Sequence, residues 1–203
     1  TNVIMNPIYS VVENITICEG TDHTFPDGTT HFSIASNETY SSNFVATTGC
    51  DSIITTNITV HSLPTVIAGS DQLICDGASV TLTATGAVVY SWTGGVVNGV
   101  PFIPSLQSQI YSVIGTDAFG CQNTDDVQVD VTPVLSPFFD ADITVGCAPL
   151  TVTFTNLTTG GTSCVWDFGT GASSAGCGTQ SFTYVASGIF NVSLTITDNA
   201  GCT

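Results

Sequence analysis

The stretch Thr116-Asp117-Ala118-Phe119-Gly120-Cys121 is followed closely by Val127-Gln128-Val129-Asp130-Val131. The first piece carries the Asp and Gly residues of a turn and ends in a Gly-Cys pair, whereas the second alternates apolar and polar residues with period two. Pro133 comes next, and a proline cannot donate a hydrogen bond to a strand ladder. This order predicts a turn, then a strand with one buried face, then a linker.

The same order of features recurs along the chain. Three segments each have an early cysteine, at Cys18, Cys75 and Cys147, and a late Gly-Cys pair, at Cys50, Cys121 and Cys202. Self-similarity at a period of roughly 55–80 residues is typical of a tandem array. We therefore predict a first module at 8–62, a second at 63–133 and a third at 134–203.

The two ends of the chain are out of phase with these modules. Residues 1–7, Thr1-Asn2-Val3-Ile4-Met5-Asn6-Pro7, resemble Thr56-Asn57-Ile58-Thr59-Val60 and its following linker, so we interpret them as the closing strand of a preceding module. Only Thr203 follows Cys202, and we expect the third module to lack its last strand.

Alternation extends through the interior of each module. Residues 79–84, 151–155 and 190–196 alternate with period two, and Gly-rich turns separate such segments. No stretch shows a helical period. Several short strands in each module describe small β-sandwiches, and the predicted fold class is all-β.

The charge balance excludes several functions. The 203 residues include no Lys or Arg, and the formal net charge is -16. Nucleic-acid binding depends on Lys and Arg contacts to phosphates, so we exclude nucleic acid as a partner. No apolar run approaches the 18 or more residues of a membrane-spanning helix, so we expect no membrane insertion.

Eight cysteines in a chain without a Cys-x-x-Cys motif indicate an oxidising compartment. The first and last strands of a sandwich can lie side by side, which predicts the bridges Cys18–Cys50, Cys75–Cys121 and Cys147–Cys202. Cys164 and Cys177 are left over and flank one hairpin, and we predict that they pair with each other.

Asp-rich segments raise the question of calcium, which prefers oxygen ligands. Asp126 and Asp130 share one face of a predicted strand, and Asp140 and Asp142 follow the 133–137 linker. One interpretation is a calcium site that stiffens the junction between two modules. The other is four solvated carboxylates.

The aromatic and histidine residues also allow two interpretations. Trp92 and Trp166 could stack on a sugar, but their central positions in alternating segments favour core packing. The three histidines are scattered, and no Gly-x-Ser-x-Gly motif occurs. We therefore predict that the chain is not an enzyme.

Three resemblances to known families cover nearly the whole chain. Residues 138–203 resemble a PKD domain, an immunoglobulin-like sandwich, through residues 148–154, Trp166-Asp167-Phe168-Gly169-Thr170-Gly171, Phe182-Thr183-Tyr184 and Thr197-Asp198. Residues 64–132 are similar to the immunoglobulin-like repeats of large surface proteins of gliding bacteria, through residues 68–72, Tyr90-Ser91-Trp92 and 116–121. Residues 8–62 resemble a companion repeat, through residues 25–30 and 49–53.

The resemblances imply a bacterial surface adhesin exported by the type IX secretion route. We expect a structural segment of an extracellular multi-repeat filament or adhesin stalk, with further copies of the repeat as head-to-tail partners and a surface glycan or protein as ligand. The alternative is an accessory glycan- or protein-binding module of a secreted hydrolase. Asp51-Ser52-Ile53 resembles an O-glycosylation acceptor of the same bacteria, which makes Ser52 a candidate modification site.

Overall fold

The computed structural model describes residues 9–45 and 51–203. These residues form an almost entirely β structure, interrupted by a short 3-10 helix at Thr93–Gly95. The all-β prediction is confirmed, and the sheets are those of β-sandwich modules in tandem. The strands in chain order are β1 Tyr9–Cys18, β2 Thr21–Thr24, β3 Thr30–Ile34, β4 Glu38–Val45, β5 Asp51–His61, β6 Gln72–Cys75, β7 Val80–Thr81, β8 Val89–Trp92, β9 Pro101–Phe102, β10 Gln109–Thr116, β11 Gln122–Thr132, β12 Phe139–Ala141, β13 Leu150–Asn156, β14 Ser163–Asp167, β15 Ser173–Ala175, β16 Gln180–Tyr184 and β17 Ser193–Thr197.

The first sheet has the strand order β1-β5-β4. β1 runs parallel to β5 along its whole length, so that Cys18 lies beside His61, and β4 pairs antiparallel on the other side of β5. The β2–β3 hairpin covers this sheet, and Phe25, Ile34 and Ile58 form the buried core.

The second sheet has the order β6-β11-β10-β8 and repeats this arrangement. β6 runs parallel to β11, and Cys75 lies beside Thr132 as Cys18 lies beside His61. Val127 and Val129 of β11 are buried, as the alternation predicted.

The last part of the chain packs two three-stranded sheets, β12-β13-β16 and β15-β14-β17. Trp166 is fully buried between them with Phe154, Phe168 and Tyr184. The Trp166 indole N–H donates to the Gly176 carbonyl at 3.1 Å, which satisfies its polar atom inside the core.

One predicted strand is shorter than its sequence pattern. Residues 79–84 alternate, but only Val80–Thr81 pairs as a strand, although Leu82 and Ala84 are buried. The Ala84 N–H donates instead to Asn98 Oδ1 at 2.7 Å. In this segment the alternation marks which side chains are buried and not how far the strand extends. The Asn98 side chain accepts the hydrogen bond that a neighbouring strand would otherwise accept.

The chain separates into two compact units. One contains the described residues up to Gly69 together with Thr83–Gly99 and Ser112–Asp126, and the other contains Ser70–Leu82, Val100–Tyr111 and Val127–Thr203. The module boundaries at 62/63 and 133/134 stay a prediction. The closing strand predicted at 1–7 lies outside the described residues.

Candidate functional site

The cysteine pairing differs from the predicted one in a systematic way. Cys18 bonds to Cys121 and Cys75 bonds to Cys202, both with Cα atoms 5.5 Å apart, while Cys164 bonds to Cys177. The local Cys164–Cys177 bridge confirms the prediction. The predicted Cys18–Cys50, Cys75–Cys121 and Cys147–Cys202 bridges are wrong, since each early cysteine that is bridged reaches the Gly-Cys pair of the next predicted module.

Strand direction explains the correction. Cys18 lies beside His61, at the C-terminal end of β5, whereas the Gly-Cys pair of the first module precedes Asp51, where β5 begins. Eleven residues of strand span roughly 35 Å, and a disulfide requires Cα atoms within about 7 Å. Parallel pairing therefore separates the two cysteine positions within one module. Cys50 itself lies outside the described residues.

An aspartate shapes the turn that carries Cys121. Asp117 Oδ1 accepts hydrogen bonds from the backbone N–H groups of Phe119 and Cys121, both at 2.8 Å, and the Asp117 N–H donates to the Cys121 carbonyl at 3.0 Å. Gly120 has φ +88°, a left-handed conformation that glycine adopts without strain. The turn holds Cys121 at 1% exposure against the bridge.

The turn that carries Cys202 has the same construction. Asp198 Oδ1 accepts from the N–H groups of Ala200 and Cys202 at 2.8 Å, and Gly201 has φ +84°. The sequence predicted a turn at Thr116–Cys121 from its Asp and Gly, but not that the same Thr-Asp-x-x-Gly-Cys pattern at 197–202 forms an equivalent turn. The signal was the repetition of the pattern, since an Asp that accepts from backbone two residues later is a common turn device.

The early cysteines are also held alike. The N–H of Glu19, after Cys18, donates to the His61 carbonyl at 2.8 Å, and the N–H of Asp76, after Cys75, donates to the Thr132 carbonyl at 2.9 Å. Cys18 and Cys75 thus each end a strand that is anchored to the closing strand of its own module.

The first of these bridges has an additional aromatic contact. His61 stacks on Phe119, with ring centroids 3.7 Å apart and planes 13° apart. His61 is the last residue of β5, in the first predicted module, and Phe119 belongs to the turn of the second. The contact supports the same joint as the Cys18–Cys121 bridge.

Cys147, the early cysteine of the third module, is exposed and forms no bridge with a described residue. Beside it lies a groove of about 910 Å³, lined mainly by apolar side chains that include Phe139, Ile143, Val145 and Ile189. Val145 is 83% exposed and Ile189 95% exposed. This end of the third module therefore presents an uncovered apolar surface next to a thiol.

The two tryptophans belong to the core. Trp166 is 0% exposed and Trp92 is 8% exposed, which confirms the core interpretation over a sugar-stacking one. The Trp92 indole N–H donates to Asn98 Oδ1 at 3.1 Å.

The four aspartates considered for calcium are not gathered into one site. Among the described residues, no group of three or more His, Cys, Asp or Glu side chains is arranged to hold a metal ion. Asp140 accepts from the Ala141 N–H and Asp142 from the Thr153 N–H, while Asp126 is exposed. Hydrogen bonds from Ser108 and then Gln128 hold the pKa of Asp130 below its usual range. Calcium binding at these residues stays a prediction, which melting with and without a chelator would test.

Glycosylation also stays a prediction. Ser52 is half-buried in β5, between Tyr9 of β1 and Phe44 of β4. Within residues 9–45 and 51–203, no helix has the length and hydropathy needed to cross a membrane.

Comparison with known proteins supports the assignment of the C-terminal part. The family model described as "PKD domain" matches residues 130–203, just over a third of the chain. None of the curated proteins compared with the chain matches it.

Solved structures of adhesion ectodomains align with this chain at low identity. The N-terminal eight Ig domains of Down Syndrome Cell Adhesion Molecule align with 12% identity and a TM-score of 0.45, over 95% of this chain and 41% of that one. Protocadherin Gamma B7 cadherin domains 1–4 align with 10% identity and a TM-score of 0.30, over 95% and 71%. The human desmocollin-1 ectodomain aligns with 12% identity and a TM-score of 0.25, over 77% and 38%. These scores are too low to carry an argument, and the PKD match is a likeness of residues 130–203 alone.

Proposed function

We propose that this chain is a structural segment of an extracellular, multi-repeat filament or adhesin stalk at a bacterial cell surface. The observation that carries the proposal is the pair of bridges Cys18–Cys121 and Cys75–Cys202, each of which ties one predicted module to the next. Bridges of this kind require an oxidising environment and suit a rod that transmits force. The PKD match and the sequence resemblance to type IX-secreted surface proteins support the same location.

The bridges define where tension would run. A force applied at the two ends of the extended chain passes to Cys18, across its disulfide to Cys121, back along the chain to Cys75, and across the second disulfide to Cys202. Residues 19–74 and 122–201 lie off this shortest path and carry no tension while both bridges are intact. The first or the third module can then unfold without a large increase in the length of the rod.

Single-molecule force spectroscopy on the 203-residue chain tests this. The fully extended length should be roughly 235 Å in the oxidised protein and roughly 700 Å after reduction, at about 3.5 Å per residue. Cys75→Ser should lengthen the oxidised protein only to roughly 350 Å, since the shortest path then crosses the Cys18–Cys121 bridge alone.

Cys164→Ser/Cys177→Ser is the matched control, because its bridge lies inside a stretch that carries no tension. This variant should keep the oxidised length unchanged. An oxidised protein that extends as far as the reduced one would refute the load path.

Sequencing the gene on both sides of this segment is a second test of the proposed function. Further modules with the same cysteine pattern are expected, whereas a catalytic domain would favour the accessory-module alternative.

A further inference from the structure

Two of the three histidines, which are scattered in the sequence, lie opposite each other in the β2–β3 hairpin. His23 of β2 and His31 of β3 are register partners, and both residues are half-buried. Side chains directly opposite in an antiparallel pair share one face of the sheet, with Cβ atoms about 4.5–5.5 Å apart. The hairpin therefore brings two imidazole side chains together on one face.

The two rings also contact one buried aromatic side chain. The centroid of the Phe25 ring lies 4.9 Å from that of His23 and 4.8 Å from that of His31, with the ring planes 83° and 72° apart. Phe25 is 2% exposed and belongs to the core of the first sheet. Both imidazoles thus lie at the boundary between this core and solvent, on the same side of the hairpin.

A carboxylate on β4 fixes the orientation of one ring. His31 Nδ1 donates a hydrogen bond to Glu38 Oε1 at 2.8 Å, and the His31 side chain stays 36% exposed. A carboxylate can only accept, so the hydrogen of the neutral ring is on Nδ1 and Nε2 keeps its lone pair. A carboxylate hydrogen-bonded to the far nitrogen is the usual arrangement at metal-binding histidines, where it sets the tautomer and holds the ring.

We propose that His23 and His31 bind a divalent transition-metal ion such as Zn²⁺, and that Glu38 is the positioning residue for His31. Imidazole nitrogen suits Zn²⁺, Ni²⁺ and Cu²⁺, whereas Ca²⁺ and Mg²⁺ prefer oxygen ligands. Two protein ligands leave the other positions of a four-coordinate zinc ion to water. The site is a pair of ligands, so it is smaller than the groups of three or more that the described residues do not contain.

The charge of the chain favours a cation at this place. The sequence has 16 Asp and Glu residues and no Lys or Arg. No ammonium or guanidinium side chain therefore competes with an ion for these groups, and a strongly negative protein raises the local concentration of cations. The pair should bind an ion at a lower free concentration than the same pair on a neutral protein.

A bound ion joins the hairpin to the sheet that it covers. The ion links β2 with β3 through the two imidazoles, and the His31–Glu38 hydrogen bond links β3 with β4. Phe25 follows β2 and Ile34 ends β3, and both belong to the core of the first sheet. An ion that binds the folded chain and not the unfolded one stabilises the fold as its concentration rises, so zinc should raise the Tm.

Zinc chloride titrated into the native chain, after treatment with EDTA and desalting, tests the site. The imidazole signals in proton–carbon NMR spectra should shift for His23 and His31 and stay in place for His61, with one zinc ion bound per chain. Calcium chloride at the same concentration should shift none of them. Unshifted His23 and His31 signals, equal shifts of all three histidines, or one zinc ion shared by two chains would overturn the proposal.

Substitutions separate the two ligands from the positioning carboxylate. His23→Asn and His31→Asn each remove one ligand and should abolish the rise of the Tm with zinc. Glu38→Ala keeps both imidazoles and should weaken zinc binding roughly 10–100-fold, the usual effect of losing such a carboxylate. It should also change the nitrogen chemical shifts of the His31 ring, which report the tautomer. Glu38→Gln keeps an acceptor oxygen and should lose much less affinity.

His61→Asn is the matched control, because it removes a histidine outside the hairpin. Its zinc affinity should equal that of the native chain. Thermal unfolding of each variant in EDTA reports the stability of the fold without metal, and the NMR titration of the native chain decides the question even if a variant fails to fold. An equal loss of zinc affinity in His61→Asn and His23→Asn would refute the site. The force measurement concerns the disulfides, so its result is independent of this one.

Discussion

Phe119 stacks face to face on His61 at a centroid distance of 3.7 Å, next to the bridge between Cys18 and Cys121. Phe119 is 67% exposed, so the ring contact and not deep burial holds it in place. Phe119→Ala should lower the free energy of unfolding by about 0.5–1.5 kcal/mol, the usual value of an aromatic pair. Urea denaturation measures the change. Phe119→Tyr keeps the ring and is the control, and an Ala variant as stable as the native protein would contradict the role of the stack.

The two aspartate turns should respond alike to substitution. Asp117→Ala and Asp198→Ala each remove an oxygen that accepts two backbone N–H groups, and each should destabilise the chain by about 1–3 kcal/mol. Asp117→Asn and Asp198→Asn keep one acceptor oxygen and should lose much less. Urea denaturation of the four variants measures the free energy of unfolding. Equal losses of stability in the Ala and Asn variants would show that the acceptor oxygen does not stabilise the turn.

Among the residues that the structure describes, two buried hydroxyl groups have no hydrogen-bond partner. Ser42 and Thr56 are 0% exposed, and neither hydroxyl is hydrogen-bonded. Thr56→Val keeps the shape and removes the unpaired group, so it should raise the free energy of unfolding by about 1–2 kcal/mol. Thr55→Val, at the neighbouring half-buried position, is the control. Thermal unfolding provides the measurement, and a less stable Thr56→Val protein would contradict the prediction.

Asp130 should make the second sheet sensitive to acid. Hydrogen bonds from Ser108 and Gln128 lower the pKa of Asp130 from its ordinary value of 3.8. A carboxylate with a lowered pKa in the folded state contributes stability above its unfolded-state pKa and loses that contribution as pH falls through the folded-state pKa. Ser108→Ala should raise the pKa of Asp130, as followed by NMR titration of its carboxyl carbon. Ser108→Thr keeps the hydroxyl and should leave the pKa of Asp130 low. An unchanged pKa of Asp130 in the Ser108→Ala variant would show that the Ser108 hydroxyl does not lower it.

The sequence was informative where a feature depends on neighbouring residues. Alternation predicted the all-β fold and the buried face of β11, and the spacing of Cys164 and Cys177 around one hairpin predicted their bridge. The buried Trp166 followed from its central place in an alternating segment. Each of these features follows from the two-residue alternation of a strand or from the short sequence distance across one hairpin.

The long-range bridges depended on strand direction, which the residue pattern does not contain. Cys18 was assigned to the Gly-Cys pair of its own module because the first and last strands of a sandwich lie side by side. The two strands are indeed neighbours, but β1 runs parallel to β5 and places Cys18 at the far end from that pair. Pairing with Cys121 follows from this geometry and from the succession of modules, and neither is visible in a single repeat.

The sequence spans of the two long bridges overlap, and this has a consequence for a protein exposed to proteases. Cys18–Cys121 and Cys75–Cys202 share the interval from Cys75 to Cys121. Any single peptide-bond cleavage between Cys18 and Cys202 therefore leaves both fragments covalently attached through at least one sulfur–sulfur bond. A single nick in a surface loop adds two chain ends but leaves the fragments joined by a disulfide, so the cut chain stays one covalent molecule.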